Sequence, residues 1–158
     1  MQRLVDQSDG AGPITHEPAL PAWQPQCPAV GPSVGIILLV EDEGYVREVT
    51  RQVIELAGFP VIDARTAGEA RQACQQHGER IQVLLTDVVL PDHNGRKLAE
   101  ELSGRFPHLK TIFVSGYPEN VVTRAQPGAG TFYLAKPFSQ ESLLAMIRRA
   151  LAERDPGA

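Results

Sequence analysis

The chain has 158 residues, of which 42% are hydrophobic and 22% are charged, and this balance indicates a globular domain rather than a disordered or fibrous chain. Its formal net charge of −4 argues against a nucleic-acid partner, because phosphate binding needs clustered Lys and Arg side chains. No apolar segment approaches the length of a membrane span and the N-terminus lacks a secretion signal, so we expect a cytoplasmic protein without membrane association.

Residues 1–33 differ in composition from the rest of the chain. Six of the 13 prolines fall in this segment, and neither a helical nor a strand period persists through it. We therefore predict a disordered Pro-rich tail or linker over 1–33, a folded domain over 34–154 and a short disordered end over 155–158. The two cysteines, Cys27 in the tail and Cys74 in a helical pattern, match no zinc or redox spacing.

Beyond the tail, five short apolar runs predict buried strands, at about 36–40, 59–64, 82–86, 110–114 and 132–135. The runs are apolar on both faces, which is typical of parallel strands that helices cover on each side. Helical patterns separate the runs. We therefore predict an α/β fold with a doubly wound parallel sheet of five strands and helices on both faces.

The helical patterns have recognisable starts and apolar faces. The first is predicted to end at Gly58 and to bury one side of the helix, formed by Val46, Val49, Val53, Ile54 and Ala57. Capping residues mark the starts of the other long helices, namely Thr66 with Glu69, Asn94 and Ser139. A short helix over 119–124 is predicted to be weak, because Pro and Gly residues follow it directly.

Polar side chains of different kinds stand at the ends of four of these strands. The first run ends in Glu41 and Asp42, the third in Asp87, the fourth in Ser115 and the fifth in Lys136. A doubly wound sheet binds its ligand outside the carboxyl ends of its strands, so we expect these side chains to converge. Carboxylates, a hydroxyl and a lysine in one crevice predict a site for a divalent cation and a phosphoryl group.

Mg²⁺ is the expected cation, since it prefers octahedral oxygen coordination and usually takes one or two protein carboxylates. Asp42 and Asp87 are its predicted ligands. Glu41 is predicted to be either a ligand or an acceptor that acts through water. The backbone carbonyl of Val89, two residues past Asp87, is predicted to supply another oxygen.

Asp87 is the predicted phosphoryl acceptor, because a carboxylate can attack a reactive phosphoryl donor when charge is neutralised. Lys136 would pair with Asp87 at rest and with a phosphate oxygen afterwards, while Ser115 would donate a hydrogen bond to a second phosphate oxygen. Each motif alone has an ordinary explanation as a helix start, a turn or a loop. Their joint occurrence, in order and each at a strand end, favours the site.

Four segments carry a resemblance to a known family. They read Leu-Leu-Val-Glu-Asp-Glu at 38–43, Leu-Leu-Thr-Asp-Val-Val-Leu-Pro-Asp-His-Asn-Gly at 84–95, Phe-Val-Ser-Gly-Tyr at 113–117 and Leu-Ala-Lys-Pro-Phe at 134–138. Together they resemble the receiver domain of two-component response regulators, over about 34–153. The Ser-Gly-Tyr segment and the Pro/Gly-containing stretch after it are similar to receivers of hybrid histidine kinases.

The resemblance implies a flavodoxin-like sheet with strand order 2-1-3-4-5, a Mg²⁺ requirement, and phosphorylation of Asp87 by a histidine kinase or a histidine phosphotransfer protein. It also implies a switch in which Ser115 and the aromatic residue Tyr133 alter a surface near 119–124 and the fifth strand. The domain would act as a stand-alone regulator or as a piece of a hybrid kinase, through a downstream protein partner. Since Pro and Gly interrupt the short helix, we expect a monomer or a weak dimer.

Three other functions fit the sequence less well. A phosphohydrolase of the haloacid-dehalogenase type needs a second Asp two residues after the nucleophile, where this chain has Val89, so only self-phosphorylation from small donors and slow self-dephosphorylation are expected. A flavin-binding module needs a phosphate loop after the first strand, where Glu41 and Asp42 would repel the ligand. A receiver-like interaction module that works without phosphorylation stays as the alternative.

Overall fold

The computed structural model describes residues 35–116 and 129–153. The strands are β1 (Ile36–Val40), β2 (Val61–Ala64), β3 (Ile81–Asp87), β4 (Lys110–Ser115) and β5 (Thr131–Ala135). The α-helices of this part of the chain are α1 (Gly44–Leu56), α2 (Ala67–His77), α3 (Gly95–Arg105) and α4 (Gln140–Ala152), and a 3₁₀ turn spans Gly78–Arg80. The predicted tail over 1–33, the short helix over 119–124 and the end at 155–158 lie outside the described residues.

The five strands form one parallel sheet in the order β2-β1-β3-β4-β5. This confirms the predicted doubly wound, flavodoxin-like α/β fold and its strand order. Helices α2 and α3 pack on one face of the sheet, and α1 and α4 pack on the other. β2 lies on one side of β1 and β3 lies on the other, so the strand order reverses at β1. This reversal opens a crevice at the carboxyl ends of β1 and β3.

The sheet is apolar on both faces because both helical layers bury it. Leu38 and Leu84 point into the cluster under α2 and α3, and Ile37 and Leu85 point into the cluster under α1 and α4. All four side chains are at most 1% exposed. Alternation of side chains along each strand therefore separates two cores, each closed by its own pair of helices.

At their carboxyl ends, β3 and β4 each run one residue further than the apolar pattern predicts, and each of these extensions is a predicted site residue. β3 runs through Asp87, which pairs with Val114, and β4 runs through Ser115, which pairs with Ala135. The backbones of Asp87 and Ser115 are therefore fixed by the sheet ladder, and only their side chains project beyond it.

The predicted helix starts are confirmed by their capping hydrogen bonds. Each cap side chain accepts a hydrogen bond from a backbone N–H of the first turn: Thr66 from Glu69 at 3.2 Å, Asn94 from Arg96 at 2.8 Å and Ser139 from Ser142 at 3.1 Å. The Glu69 carboxylate also accepts from the N–H of Arg65 at 2.7 Å. Caps of this kind typically contribute about 1 kcal/mol each. No helix in the two described ranges is long and apolar enough to cross a bilayer.

The predicted inner face of α1 is partly wrong. Ile54 is fully buried and Val53 packs beside it, but Val49 is 42% exposed and Thr50 is buried in its place. Residues four apart lie on one helix face, so a buried line through Thr50 and Ile54 leaves Val49 at its edge. The predicted apolar set spans too wide an arc for all of its members to reach the sheet.

Among the glycines of residues 35–116 and 129–153, Gly95, the first residue of α3, is predicted to tolerate substitution least. A Cβ atom there would overlap the carbonyl oxygen of Asp87, which is backbone and cannot move aside. We expect Gly95→Ala to lower the free energy of unfolding by about 2 kcal/mol or more. Gly104, in the last turn of the same helix, has open space on the side where a methyl group would stand, with no atom within 4 Å. Gly104→Ala should therefore be neutral or stabilising by up to ~1 kcal/mol.

Urea denaturation of both variants and the parent protein measures this difference. Equal effects of the two substitutions would contradict the close approach of Gly95 to the end of β3.

Candidate functional site

The carboxyl ends of the strands bring together four of the predicted site residues. Glu41 and Asp42 directly follow β1, Asp87 ends β3, and Lys136 directly follows β5. The Lys136 ammonium lies 2.9 Å from Oδ1 and 3.2 Å from Oδ2 of Asp87, and 3.2 Å from Oε2 of Glu41. Lys136 thus reaches past β4 and bridges two carboxylates at the ends of the adjacent strands β1 and β3.

The strand ladder positions this lysine. The backbone N–H of Lys136 donates to the carbonyl of Ser115 at 2.8 Å, which continues the pairing of β5 with β4 one residue beyond the strands. The start of its side chain is therefore fixed, and the ammonium can only reach inward over the end of β4. The sequence spacing placed Lys136 at a strand end, and the structure shows which carboxylates it contacts.

Three carboxylates form the acidic part of the site. One oxygen each from Glu41, Asp42 and Asp87 lies within 4.8 Å of the others. Glu41 is buried, with 6% of its surface exposed, whereas Asp42 is exposed. Oε1 of Glu41 accepts a hydrogen bond from the backbone N–H of Glu43 at 3.1 Å, and its Oε2 is the oxygen that contacts Lys136.

Arg47 fixes the backbone beneath this acidic pair, a role that the sequence motifs did not reveal. Its Nη1 donates to the carbonyl of Glu41 at 2.9 Å, and its Nε pairs with Asp63 of β2 at 3.1 Å. An arginine in the first turn of a helix is unusual, since the positive end of the helix dipole favours acids there. That mismatch was the only sequence signal of a specific role.

The electrostatics of the site are unbalanced toward negative charge. Burial raises the pKa of Glu41, and the neighbouring Asp87 raises it further, which outweighs the opposing effects of the Glu43 N–H and of Lys136. Burial alone would lower the pKa of Lys136, but its hydrogen bond and ion pair with Asp87, together with Glu41, raise it above the ordinary value. Lys136 is therefore held firmly as a cation, while Glu41 resists carrying its charge.

Ser115 and Tyr133 share one face of the sheet, on the side of α2 and α3. Ser115 is two residues past Phe113 on β4, and Phe113 pairs with Tyr133 on β5. The rings of Phe113 and Tyr133 stack with centroids 5.5 Å apart, and the guanidinium of Arg96 lies 5.7 Å and 5.8 Å from the two centroids. Tyr133 is half-buried and packs against the cluster under α2 and α3.

Val89, whose carbonyl is the predicted extra ligand, lies in a loop with a defined shape. It faces Asn94 in an antiparallel bridge. The bridge is formed by Gly95 N–H to Val88 O at 2.8 Å and Leu90 N–H to His93 O at 3.1 Å, both of which flank Val89. In this pairing the carbonyl of Val89 takes no part in the bridge. The Val89 side chain is 76% exposed.

The residues present fit a magnesium ion. Two oxygens bound to one Mg²⁺ at about 2.1 Å lie at most ~4.2 Å apart, so the carboxylates need only a small closure from their present spacing. A divalent cation would also relieve the repulsion that raises the pKa of Glu41. The three carboxylates are the oxygen donors that would hold it, and Lys136 sits beside them, where it would face a bound phosphate.

Residues 37–148 match the family model described as the response regulator receiver domain. The chain belongs to this family. Its members generally bind Mg²⁺ in an acidic pocket, interact with histidine kinases or phosphotransfer proteins, and are generally not enzymes themselves.

Two curated relatives show how receiver domains are used within longer proteins. The chain is 35% identical over 120 residues to the sensor kinase CckA of Brucella abortus (strain 2308), which covers 75% of this chain and 13% of that protein. It is 34% identical over 125 residues to the DNA-binding transcriptional regulator NtrC of Bradyrhizobium sp. (strain RP501 Parasponia), which covers 75% of this chain and 25% of that protein. The chain thus spans a quarter or less of the length of either relative.

Solved receiver domains share the fold. A CheY-like receiver domain protein from Methanospirillum hungatei JF-1 has a TM-score of 0.67 at 35% identity, covering 77% of this chain and 96% of that one. The receiver domain of the hybrid histidine kinase CckA has a TM-score of 0.65 at 28% identity, covering 74% of this chain and 99% of that one. The predicted similarity to hybrid-kinase receivers is confirmed.

The raised pKa of Glu41 predicts how its amide variant behaves. An acid whose pKa is raised by folding stabilises the folded state at pH below its unfolded pKa, and this contribution is lost as pH rises through the folded pKa. At pH 7.5 ionised Glu41 therefore costs stability, and Glu41→Gln should raise the free energy of unfolding of the metal-free protein by about 1 kcal/mol, or roughly 3–5 °C. Near pH 4 the advantage should vanish.

Thermal melts in chelator at both pH values, and again with Mg²⁺, measure this effect. Mg²⁺ should stabilise the parent receiver domain more than the Gln variant, since the amide carries no charge. Glu43→Gln serves as the control because this neighbouring exposed acid lies outside the carboxylate group. A Glu41→Gln variant less stable than the parent at pH 7.5 would contradict the predicted charge imbalance.

Proposed function

We propose that this domain accepts a phosphoryl group on Asp87, in the presence of Mg²⁺, from a histidine kinase or a histidine phosphotransfer protein. It then passes the signal on by changing a surface near β5 and residues 119–124. The observation that carries this proposal is the position of Asp87, which ends β3 with its carboxylate on the Lys136 ammonium and beside Glu41 and Asp42. A candidate nucleophile thereby contacts a lysine ammonium and lies within 4.8 Å of two further carboxylates that could hold a metal ion.

In the proposed step, an oxygen of the Asp87 carboxylate forms a bond to phosphorus. The bond from phosphorus to the donor breaks, and its electron pair leaves with the donor nitrogen or oxygen. Mg²⁺ would neutralise charge on the phosphoryl oxygens. Lys136 would exchange its contact with the free carboxylate for one with a phosphoryl oxygen, which keeps the ammonium paired throughout.

The signal would pass along the α2–α3 face of the sheet. A phosphoryl group adds negative charge and strong acceptor oxygens at the end of β3, next to Ser115 on β4. The Ser115 hydroxyl would move toward the phosphate, and the space that it leaves would admit the Tyr133 ring. Stacking of Phe113 and Arg96 on Tyr133 gives the ring a defined resting position to leave.

Intact mass after incubation with Mg²⁺ and acetyl phosphate tests the acceptor. We expect one added phosphoryl group on the parent protein, and none on Asp87→Asn or when Mg²⁺ is chelated. Glu101→Gln is the control, since it removes an acid of α3 that pairs with Arg71 of α2 and lies outside the carboxylate group. It should still accept the phosphoryl group.

Absence of any added mass on correctly folded parent protein would overturn the proposed function. The alternative would then be a receiver-like module that binds its partner without phosphorylation.

The proposed switch is tested through the ring of Tyr133. With 3-fluorotyrosine at the three tyrosines of the chain, the resonance that Tyr133→Phe removes identifies this ring. We expect beryllofluoride with Mg²⁺, which mimics a phosphoryl group, to shift that resonance toward a buried environment in ¹⁹F spectra. In Ser115→Ala the shift should be lost or strongly reduced. A Tyr133 resonance that responds equally in both proteins would contradict the coupling of the ring to Ser115.

A further inference from the structure

Asp92 makes a long-range contact that the proposed phosphorylation step does not use. It lies at the tip of the loop between β3 and α3, five residues after Asp87. Its Oδ1 accepts from the N–H of Ala67 at 3.1 Å and its Oδ2 from the N–H of Gly68 at 3.3 Å. These are the first two residues of α2, so one carboxylate ties the loop tip to the start of another helix.

The contact completes the capping of α2. The first N–H groups of a helix have no partner within the helix. In α2 the first two are bound by Asp92 and the third by its own cap residue, Thr66, at 3.2 Å. An acidic side chain is also favoured there by the positive end of the helix dipole. Thr66 and Asp92 therefore share the same helix end, but only Asp92 brings in a residue from another loop.

The loop between β3 and α3 is held at its base and at its tip by different bonds. At the base, the N–H of Gly95 donates to the carbonyl of Val88, and the N–H of Leu90 donates to the carbonyl of His93. At the tip, Asp92 is bound to α2. Val89 lies between the two bonds at the base, and the tip that Asp92 holds follows it by three residues. Loss of the tip anchor would leave only the base bonds to fix the direction of the Val89 carbonyl.

We propose that Asp92 is a positioning residue for the metal site: by clamping the loop tip onto α2, it holds the Val89 carbonyl in the direction that the Mg²⁺ site requires. The clamp works at a distance from the ion and makes no contact with it. The inference rests on the proposed function, because only a bound cation gives the Val89 carbonyl a role.

The clamp and ordinary helix capping predict different results, and Thr66 supplies the matched control. Asp92→Ala and Thr66→Ala each remove a cap from the same end of α2, so both should lower the melting temperature. Only Asp92→Ala also releases the loop. Asp92→Asn keeps one acceptor oxygen and should behave much like the parent protein.

The first measurement is amide hydrogen exchange of residues 88–95 in the metal-free, full-length protein. Asp92→Ala should speed exchange in this loop, whereas Thr66→Ala should speed it only within α2. The second is Mg²⁺ affinity, from titrations of amide chemical shifts. Asp92→Ala should weaken binding by about 10-fold, the lower end of the loss that removal of an outer-shell partner causes in other metal sites, and the other two variants should stay within about 2-fold of the parent.

The outcomes separate the clamp from the proposed function. Unchanged loop exchange in Asp92→Ala, or equal losses of Mg²⁺ affinity in Asp92→Ala and Thr66→Ala, would overturn the clamp while leaving the phosphorylation site in place. A parent protein that binds no Mg²⁺ would overturn the proposed function itself, whatever the exchange data show.

Discussion

The site depends on holding three carboxylates together against their mutual repulsion. Two like charges about 4 Å apart repel by ~1 kcal/mol in water and by more where the side chains are partly buried. The sheet imposes this proximity, since the parallel pairing of Val40 with Thr86 brings the ends of β1 and β3 side by side. Lys136 offsets part of the repulsion from two strands away. The negative charge that remains is what makes this edge of the sheet suited to a divalent cation.

The same sheet gives the two faces of the domain different properties. Ile54, Leu143 and Ile147 close the α1–α4 face with fully or almost fully buried aliphatic side chains, which leave little freedom for rearrangement. The α2–α3 face carries a half-buried Tyr133 stacked on Phe113 near Ser115. The two faces beside Asp87 therefore differ, since one is closed by buried aliphatic side chains and the other carries a half-buried aromatic ring.

Sequence patterns predicted the fold and the composition of the site because both depend on short-range regularities. Apolar runs of strand length located the strands. In a parallel sheet, the first polar residue after each run lies at the carboxyl ends of the strands, whatever the details of packing. That is why Glu41, Asp87 and Lys136 could be placed together before any coordinates. Periodicity was less reliable for α1, where the buried arc is narrower than the apolar pattern and Val49 is left exposed. The sequence pattern shows which residues of the helix are apolar, but the contact with the sheet determines how many of them are buried.

The contacts that the sequence did not reveal join residues far apart in the chain, and both of them involve the segment from β2 to α2. Arg47 holds the carbonyl of Glu41 while pairing with Asp63 on β2, and Asp92 holds the β3–α3 loop against the start of α2 at Ala67. Neither β2 nor α2 contributes a carboxylate to the site, so reasoning from the site residues gave no cause to consider them. Yet the loops that follow β1 and β3 are both tied to this same β2–α2 segment. Because β2 is an edge strand with β1 as its neighbour in the sheet, the segment can hold both loops from the side without entering the crevice at the carboxyl ends of β1 and β3.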